Sequence, residues 1–149
     1  MDEITNPLKA LHGFYFEDLS IGTTDEFSKI ISEAEISVFA VVSGDNNPVH
    51  LNHEFANATM FKGCIAHGML TASFISTVIG TRMPGPGCIY VSQNLKFKAP
   101  VRAGDLVKAV CTVTDLNEKK KFAEIQTQCF VGDKMVIDGS ATIMVPTRG

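Results

Sequence analysis

The chain has 149 residues, of which 45% are hydrophobic and 19% are charged, and its formal net charge at pH 7 is −3. This length suits one domain with a substantial core, so we expect a single domain over residues 1–149. The acidic balance argues against a nucleic-acid partner, because binding to a phosphate backbone normally requires a basic excess.

The sequence contains no segment typical of a targeting or membrane signal. Residues 1–10 hold charged groups and Pro7 but lack the continuous apolar core of a signal peptide. Residues 69–79 form the longest apolar stretch, but it contains four Ser or Thr residues and is too short to span a bilayer. We therefore expect no membrane partner and a cytoplasmic location.

The cysteines are widely spaced and form no C-x-x-C pair. Without a secretory signal, this pattern favours buried free thiols over a disulfide framework or a zinc site. The four residues concerned are Cys64, Cys88, Cys111 and Cys129.

The first half of the chain predicts one strand and two helices. Residues 25–31 have the length and residue types of a strand. Ser32 and Glu35 form the two ends of a capping box, and apolar residues follow at helical spacing, so we expect a helix that ends near Gly44. Residues 45–50 then form a loop, and Asn52 caps a short helix that runs to Met60.

The second half predicts a long helix followed by four strands. Residues 67–82 are apolar nearly all round, which is typical of a helix buried on most sides, and the P-G-P-G segment at 84–87 stops it. The apolar period then changes to two over residues 89–97, 107–113, 122–131 and 135–145. Strands this close in sequence must pair antiparallel. We expect an α+β fold in which a curved antiparallel sheet wraps around the central helix.

The chemistry is concentrated in two short segments. Residues 43–50 read SGDNNPVH, and they place the carboxyl group of Asp45 five residues before the imidazole of His50. Glycine, proline and two asparagines keep this segment from forming regular helix, so both side chains can turn toward one point. A second histidine, His67, precedes Gly68 at the start of the predicted central helix. Asp45 and His50 are therefore the candidates for an acid/base pair.

These segments resemble a known family signature. The patterns S-G-D-x-N-P-x-H over residues 43–50 and I-x-H-G-M-L over residues 65–70 look like the hydratase-2 motif of the MaoC-like, (R)-specific enoyl-CoA hydratases. F-x-A-P-V-x-A-G-D over residues 97–105 is similar to a later strand and turn of the same family. The resemblance covers nearly the whole chain. It implies the hot-dog fold and homodimers formed through sheet edges.

The resemblance also implies a reaction and the residues that carry it. Hydration of a trans-2-enoyl thioester needs a base for the attacking water, a proton for C2 and a donor to the developing enolate oxygen. Asp45 and His50 would hold one water between them and yield the (R)-3-hydroxyacyl product. Gly68 begins the predicted central helix, where free N–H groups and the helix dipole favour negative charge, so its N–H is the expected oxyanion donor.

Three further residues are candidates for supporting roles. Asn47 would orient the dyad or its water, although an Asn before Pro in a turn needs no such role. Ser76 matches a family position that helps to fix the active-site hydrogen bonds, but a serine bonding back to its own helix explains it equally well. His67 is expected to shape the pocket. No metal is expected, because His50, His53 and His67 fit no common ligand spacing and lack carboxylate partners.

The distribution of charge suggests an anionic ligand. Residues 55–104 contain no Asp or Glu but five cations, so this stretch carries +5 and the rest of the chain −8. Two interpretations are possible. Residues 55–104 are mostly buried in the core, or they form a surface that attracts the phosphates of CoA or of an acyl-carrier protein. The cations are Lys62, Arg82, Lys96, Lys98 and Arg102. We expect no cofactor, since neither a G-x-G-x-x-G motif nor a P-loop is present.

Three alternatives to the hydratase remain open. An (R)-3-hydroxyacyl-carrier-protein dehydratase would use the same chemistry. A hot-dog thioesterase commonly places its acid on the central helix, and residues 55–104 contain none. A non-catalytic acyl-CoA-binding subunit would most simply have lost Asp45 or His50, and both are present.

Overall fold

The largest element of the described chain is a five-stranded antiparallel sheet. The computed structural model describes residues 7–149, so part of the segment 1–10, for which no signal peptide is predicted, lies outside the described residues. The strands are β1 (Thr24–Ile30), β2 (Ile89–Phe97), β3 (Leu106–Asn117), β4 (Phe122–Val131) and β5 (Lys134–Met144), in the sheet order β1-β3-β4-β5-β2. Strand existence and antiparallel pairing are as the sequence predicts, with ends that differ by a few residues.

Four α-helices accompany the sheet: α1 (Glu33–Ser43), α2 (Pro48–Leu51), α3 (His53–Asn57) and α4 (Gly68–Thr81). Two short 3-10 turns, Lys9–Leu11 and Phe16–Asp18, precede β1. α4 packs on the sheet and contacts β1, β3 and β4, which confirms the predicted α+β arrangement. In the described part of the chain, no helix is both long enough and apolar enough to cross a membrane.

Local signals set the ends of α1. The Ser32 side chain accepts a hydrogen bond from the Glu35 N–H at 3.1 Å, as the capping-box pattern predicts. The other half of the box does not form, because the Glu35 carboxylate instead lies 2.9 Å from Nζ of Lys29. Gly44 ends the helix with a φ of 79°, a left-handed conformation that glycine adopts without strain, and its N–H donates to the Ala40 carbonyl. The turn at Gly44 delivers the chain directly into Asp45.

The segment predicted as a loop before Asn52 contains the one-turn helix α2. Asn47 caps it, accepting a hydrogen bond from the Val49 N–H at 3.0 Å, and Pro48 occupies the first helical position, where its missing N–H is not needed. α3 follows from its predicted cap Asn52 but ends before Met60, which is 86% exposed and gains nothing from helix packing.

α4 has two different sides. Its buried side carries large apolar residues, as expected, and these pack into the main core: Leu70, Phe74, Ile75, Val78 and Ile79. The other side is exposed and holds mostly small or polar residues: Met69, Ser73, Ser76 and Gly80. The prediction of a helix buried on most sides is therefore wrong for the single chain.

Register shifts interrupt the simple alternation in three strand pairs. The β2–β5 register shifts between Tyr90 and Ser92, the β3–β4 register between Val113 and Asp115, and the β4–β5 register between Cys129 and Phe130. β3 continues past its shift to Asn117, beyond its predicted end. β2 forms one edge of the sheet and β1 the other.

The cysteines are free thiols, as predicted, but they are not all buried. Cys111 and Cys129 are fully buried in the core formed by the sheet and α4. Cys64 and Cys88 are only partly buried.

Candidate active site

A cavity of about 490 Å³ lies at the amino-terminal end of α4. Most of its lining is apolar, and the polar side chains converge on one region. Four of the six predicted site residues line it: Asp45, His50, His67 and Gly68. Met69 is also in the lining, whereas Leu70, Phe74 and Tyr90 are not.

A backbone carbonyl fixes the tautomer of His50. The Nδ1 atom lies 2.8 Å from the Ile65 carbonyl oxygen. Because a carbonyl only accepts, Nδ1 must carry the hydrogen in the neutral ring, and Nε2 keeps its lone pair. His50 is therefore arranged as a base at Nε2.

The position of Asp45 is set by hydrogen bonds within its own loop. Its N–H donates to Oγ of Ser43 at 3.1 Å, and that hydroxyl in turn donates to the Phe39 carbonyl at 2.6 Å. One carboxylate oxygen, Oδ1, accepts from the Asn47 N–H at 3.3 Å. The other oxygen has no partner in the part of the chain that the structure describes, so it is free to accept a hydrogen bond from a ligand or water.

Asp45 and His50 are close enough to share one water molecule. Ligand-type atoms of Asp45, His50 and His67 all lie within 4.8 Å of one another. A water that makes two hydrogen bonds of about 2.8 Å at a tetrahedral angle spans about 4.6 Å between its partners. The structure thus brings together the acid and the base that the sequence places five residues apart.

His67 joins several parts of the site. It is only 2% exposed, and its Nε2 donates to the backbone carbonyl of Asp45 at 2.9 Å. Its ring stacks on the ring of His50, with the two centroids 3.8 Å apart. The ring of Phe39 also packs against His67, with a centroid distance of 4.8 Å. Within the described residues its Nδ1 has no hydrogen-bond partner. His67 is therefore a fixed, buried element of the site.

Two imidazoles and a carboxylate are also a set of groups that transition metals bind, so the fit to a metal needs testing. Histidine donates to a metal in the plane of its ring. The rings of His50 and His67 are stacked with 29° between their planes, and Nδ1 of His50 and Nε2 of His67 are already bonded to backbone carbonyls. Each ring therefore keeps one nitrogen beside the Asp45 carboxylate, a carboxylate partner that the sequence analysis did not expect. His53, the third histidine weighed in the sequence analysis, contacts Cys64 and Glu33 instead.

Gly68 is the first residue of α4, as predicted. Its N–H has no acceptor among the described residues, and it lines the cavity, so it can donate to a ligand oxygen. A Cβ at this position would lie 2.7 Å from two ring atoms of Phe97. Glycine is thus required by the close packing of this ring, and not only by the approach of a ligand.

The two remaining predicted residues lie outside the cavity lining. The Asn47 side chain caps α2, the helix that carries His50, so its contact with the dyad is indirect. Ser76 lies on the exposed side of α4, and its hydroxyl has no partner in the described chain. No contact between Ser76 and the active site is present in the described chain, so its supporting role stays a prediction.

Only some of the cations are free to meet an anion. The Arg102 guanidinium donates to the carbonyls of Phe61 and Cys64, and Arg82 donates to a carbonyl of β1 at 2.6 Å. Both arginines are therefore used to hold the fold. Lys98 lines the cavity, and no ion pair of Lys98 is present among the described residues.

The sequence analysis did not predict the roles of three residues of the site. Ile65 contributes a carbonyl and Phe97 an aromatic ring, and each is the first residue of a family motif that gives no indication of that role. Thr71 lines the cavity with a buried hydroxyl that has no partner in the described chain. The sequence offers one signal for Thr71, which is a polar residue in an apolar helix, one turn after His67.

Comparison with curated proteins gives close relatives. An (R)-specific enoyl-CoA hydratase of Rhodospirillum rubrum is 57% identical over 135 residues, which are 91% of this chain and 94% of that protein. A 3-hydroxybutyryl-CoA dehydratase of Methylorubrum extorquens is 46% identical, covering 95% and 90%. A mitochondrial 3-hydroxyacyl-[acyl-carrier-protein] dehydratase of Arabidopsis thaliana is 34% identical, covering 86% and 78%.

Solved structures and a family model agree with these relatives. The unliganded R-hydratase PhaJ1 of Pseudomonas aeruginosa superposes with a TM-score of 0.86 at 41% identity, over 91% of this chain and 88% of that one. This likeness confirms the hot-dog fold that the sequence resemblance implies. The MaoC like domain model matches residues 19–134. The chain therefore belongs to the MaoC-like family.

Proposed function

We propose that this protein is a hydro-lyase that adds water to trans-2-enoyl-CoA and forms (R)-3-hydroxyacyl-CoA, reversibly. The observation that carries this proposal is the convergence of the Asp45 carboxylate and the His50 imidazole on one cavity, beside the free N–H of Gly68. The names of the relatives from Rhodospirillum rubrum and Methylorubrum extorquens support the same activity.

The reaction is an exchange of protons between one water and the dyad. The water oxygen attacks C3 as His50 and Asp45 remove one of its protons, and the dyad returns a proton to C2. The C3–O and C2–H bonds form on the face of the substrate that the dyad occupies. Because the two groups lie close together, they titrate as a coupled pair, and the proton belongs to the pair.

Gly68 supplies the electrostatic part of catalysis. As C3 is attacked, negative charge develops on the thioester oxygen, and Gly68, at the start of α4, lines the cavity with an N–H that has no acceptor in the described chain. A preorganised backbone donor at a helix N-terminus is worth roughly 3–4 kcal/mol of transition-state stabilisation.

His67 and Asn47 act as positioning residues in this proposal. His67 holds the backbone of Asp45 and the ring of His50, and Asn47 caps the short helix on which His50 lies. Neither needs to exchange a proton. Ser76, on the exposed side of α4, has no part in the dyad of a single chain. No metal or redox cofactor is required, because water and the thioester supply all the atoms that react.

Lys98 is the proposed contact for the phosphates of CoA, since it lies in the cavity lining without an ion-pair partner in the described chain. A carrier protein presents one phosphate on its pantetheine arm, whereas CoA carries three. The closer relatives are named for CoA substrates, so CoA is the proposed carrier and the carrier-protein dehydratase is the alternative. A thioesterase is disfavoured by the absence of any acid on α4, and a non-catalytic subunit by the intact dyad.

We also propose a homodimer formed through β2 in the cytoplasm. β2 is an edge strand of nine residues with exposed apolar side chains, including Ile89 at 53% and Val91 at 49%. Such an edge is prone to pair with another chain, and pairing with a second copy would protect it. Light scattering on a sizing column measures the mass directly, and a monomer at micromolar concentration would contradict the proposal.

The function is tested by mixing purified protein with crotonyl-CoA and following the loss of enoyl thioester absorbance. The product is then offered to dehydrogenases specific for each 3-hydroxy configuration. We expect rapid hydration and oxidation only by the (R)-specific enzyme. No turnover with crotonyl-CoA and with longer enoyl-CoA chains, but turnover of the carrier-protein thioester, would favour the alternative.

A further inference from the structure

A second cavity, of about 320 Å³, lies on the other side of His50 from the active site. Its lining is more polar and contains several titratable or charged groups. These are Glu33, His50, His53, Cys64 and Arg102. The proposed hydration reaction uses only His50 from this set, so the other four groups have no assigned role in it.

Three of these side chains form a row. Sγ of Cys64 lies 3.6 Å from Nδ1 of His53, and Nε2 of His53 lies 3.9 Å from Oε1 of Glu33. A thiol, an imidazole and a carboxylate in this order can move a proton from sulfur to the ring while the carboxylate stabilises the imidazolium. The His53 and Glu33 side chains are 72% and 77% exposed, so solvent weakens the effect but also gives reagents free access.

The other cysteines lack these features. Burial raises the pKa of the Cys111 and Cys129 thiols to about 12, and burial also raises the pKa of Cys88. The Cys88 thiol donates to the Ile79 carbonyl at 3.4 Å and has no base beside it in the described chain. Reactivity of a thiol follows its thiolate fraction and access, so these three are poor nucleophiles.

We propose that Cys64 is a reactive thiol and a site of oxidation by small hydroperoxides, with His53 as its proton acceptor and Glu33 as the support of the imidazolium. His53 takes the thiol proton, and the thiolate attacks one oxygen of the hydroperoxide. The S–O bond forms as the O–O bond breaks, so the sulfur loses two electrons and the peroxide gains them. The departing oxygen takes the proton from His53, which leaves Cys64 as a sulfenic acid and releases water or an alcohol.

Oxidation at this position would act on the catalytic base. Cys64 directly precedes Ile65, whose carbonyl fixes the tautomer of His50, and the Cys64 carbonyl itself accepts from Arg102 at 3.3 Å. The added oxygen enters the cavity that His50 lines, next to the residue whose carbonyl fixes the His50 tautomer. We therefore expect lower hydratase turnover in the oxidised protein. This consequence rests on the proposed function, whereas the reactivity of Cys64 does not.

The reactivity is tested by alkylating the native protein with limiting iodoacetamide at pH 7 and locating the label by peptide mass spectrometry. We expect Cys64 to be labelled first and its rate to fall about three- to tenfold in His53→Asn. Glu33→Gln should lower the rate of Cys64 labelling less. The control is Glu54→Gln, which removes a neighbouring exposed charge that has no ion pair in the described chain, and it should leave the rate unchanged. Faster labelling of Cys88, or an unchanged rate in His53→Asn, would overturn the proposal.

The oxidation is tested with hydrogen peroxide and dimedone, which traps sulfenic acid. We expect dimedone on Cys64 and a loss of crotonyl-CoA turnover, in the absence of dimedone, that dithiothreitol reverses. Cys64→Ser should keep its turnover through the same treatment. Dimedone elsewhere or nowhere would overturn the site itself, and dimedone on Cys64 with full turnover would overturn its link to His50. A protein without turnover on any enoyl thioester still gives the label, so failure of the proposed function is distinguishable.

Discussion

His50 and His67 stack with their ring centroids 3.8 Å apart, and each ring donates from one nitrogen to a backbone carbonyl. These bonds decide which nitrogen carries the hydrogen in each neutral ring, and the stack keeps the His50 ring at a fixed angle. A base held in this way loses little free energy to reorientation when the substrate binds.

Replacing His67 with Phe should separate positioning from substrate binding. Phenylalanine keeps an aromatic ring against His50 but loses the hydrogen bond to the Asp45 carbonyl. We expect kcat to fall by roughly ten- to a hundredfold with little change in KM, because small misplacement of a catalytic group costs about this much. Steady-state kinetics with crotonyl-CoA measure kcat and KM separately. A raised KM at normal kcat would show instead that His67 contacts the substrate.

Most helices and strands could be predicted from the sequence, because the signals that define them are local. The Ser32 cap, the αL glycine at Gly44 and the period-two alternation in β3 to β5 each act over a few residues. α2 was missed, since four residues are too short to show a helical period and its stability depends on the Asn47 cap.

The geometry of the site could be predicted only in part, because several of its contacts join segments that are far apart in the chain. Asp45 and His50 share one loop, so their proximity follows from spacing. The stack of His67 on His50 and the Phe97 ring against Gly68 are contacts between distant segments, which no local pattern encodes. The structural use of Arg102 depends likewise on where the loop around Phe61 passes.

Gly68→Ala should disable the site, and Gly80→Ala provides a control in the same helix. A Cβ at Gly68 would meet the Phe97 ring at 2.7 Å and must push it or the helix start away, whereas a Cβ at Gly80 meets nothing within 4 Å. Alanine keeps the backbone N–H, so the loss comes only from its displacement, and we expect kcat/KM to fall by roughly ten- to a hundredfold in the first variant. The second should keep its activity and gain up to about 1 kcal/mol of stability from helix propensity. Equal activity of the two variants would contradict the requirement for glycine at position 68.

Lys98→Ala should weaken recognition of CoA but not of a short thioester. Lys98 lines the cavity, and the control residue Lys119 lies in the turn between β3 and β4. An exposed charge pair is worth about 1 kcal/mol or less, so we expect KM for crotonyl-CoA to rise up to about fivefold. The KM for crotonyl-N-acetylcysteamine, which has no phosphate, should be unchanged, and Lys119→Ala should affect neither. An equal rise for both substrates would point to a disturbed cavity.

The buried thiols should make the fold sensitive to alkali. Burial raises the pKa of Cys111 and Cys129 from 9.0 to about 12, so the unfolded chain loses these protons first as the pH rises. Their contribution to stability is complete below about pH 9 and declines up to pH 12. We expect the slope of Tm against pH in this window to be shallower in Cys111→Ala/Cys129→Ala. Tyr90, whose pKa burial also raises, adds the same downward slope to both proteins. Identical slopes would contradict the assignment.

The most direct test of the dyad is the rate of crotonyl-CoA hydration by Asp45→Asn. The amide keeps the shape of the side chain and its acceptor oxygen for the Asn47 N–H, but it cannot take a proton. Asp133→Asn, in the turn between β4 and β5, is the matched control for loss of a carboxylate. We predict that turnover falls by at least about a hundredfold in Asp45→Asn, with an unchanged melting temperature, and stays at the wild-type rate in the control. Turnover of Asp45→Asn within a few-fold of wild type would contradict the account.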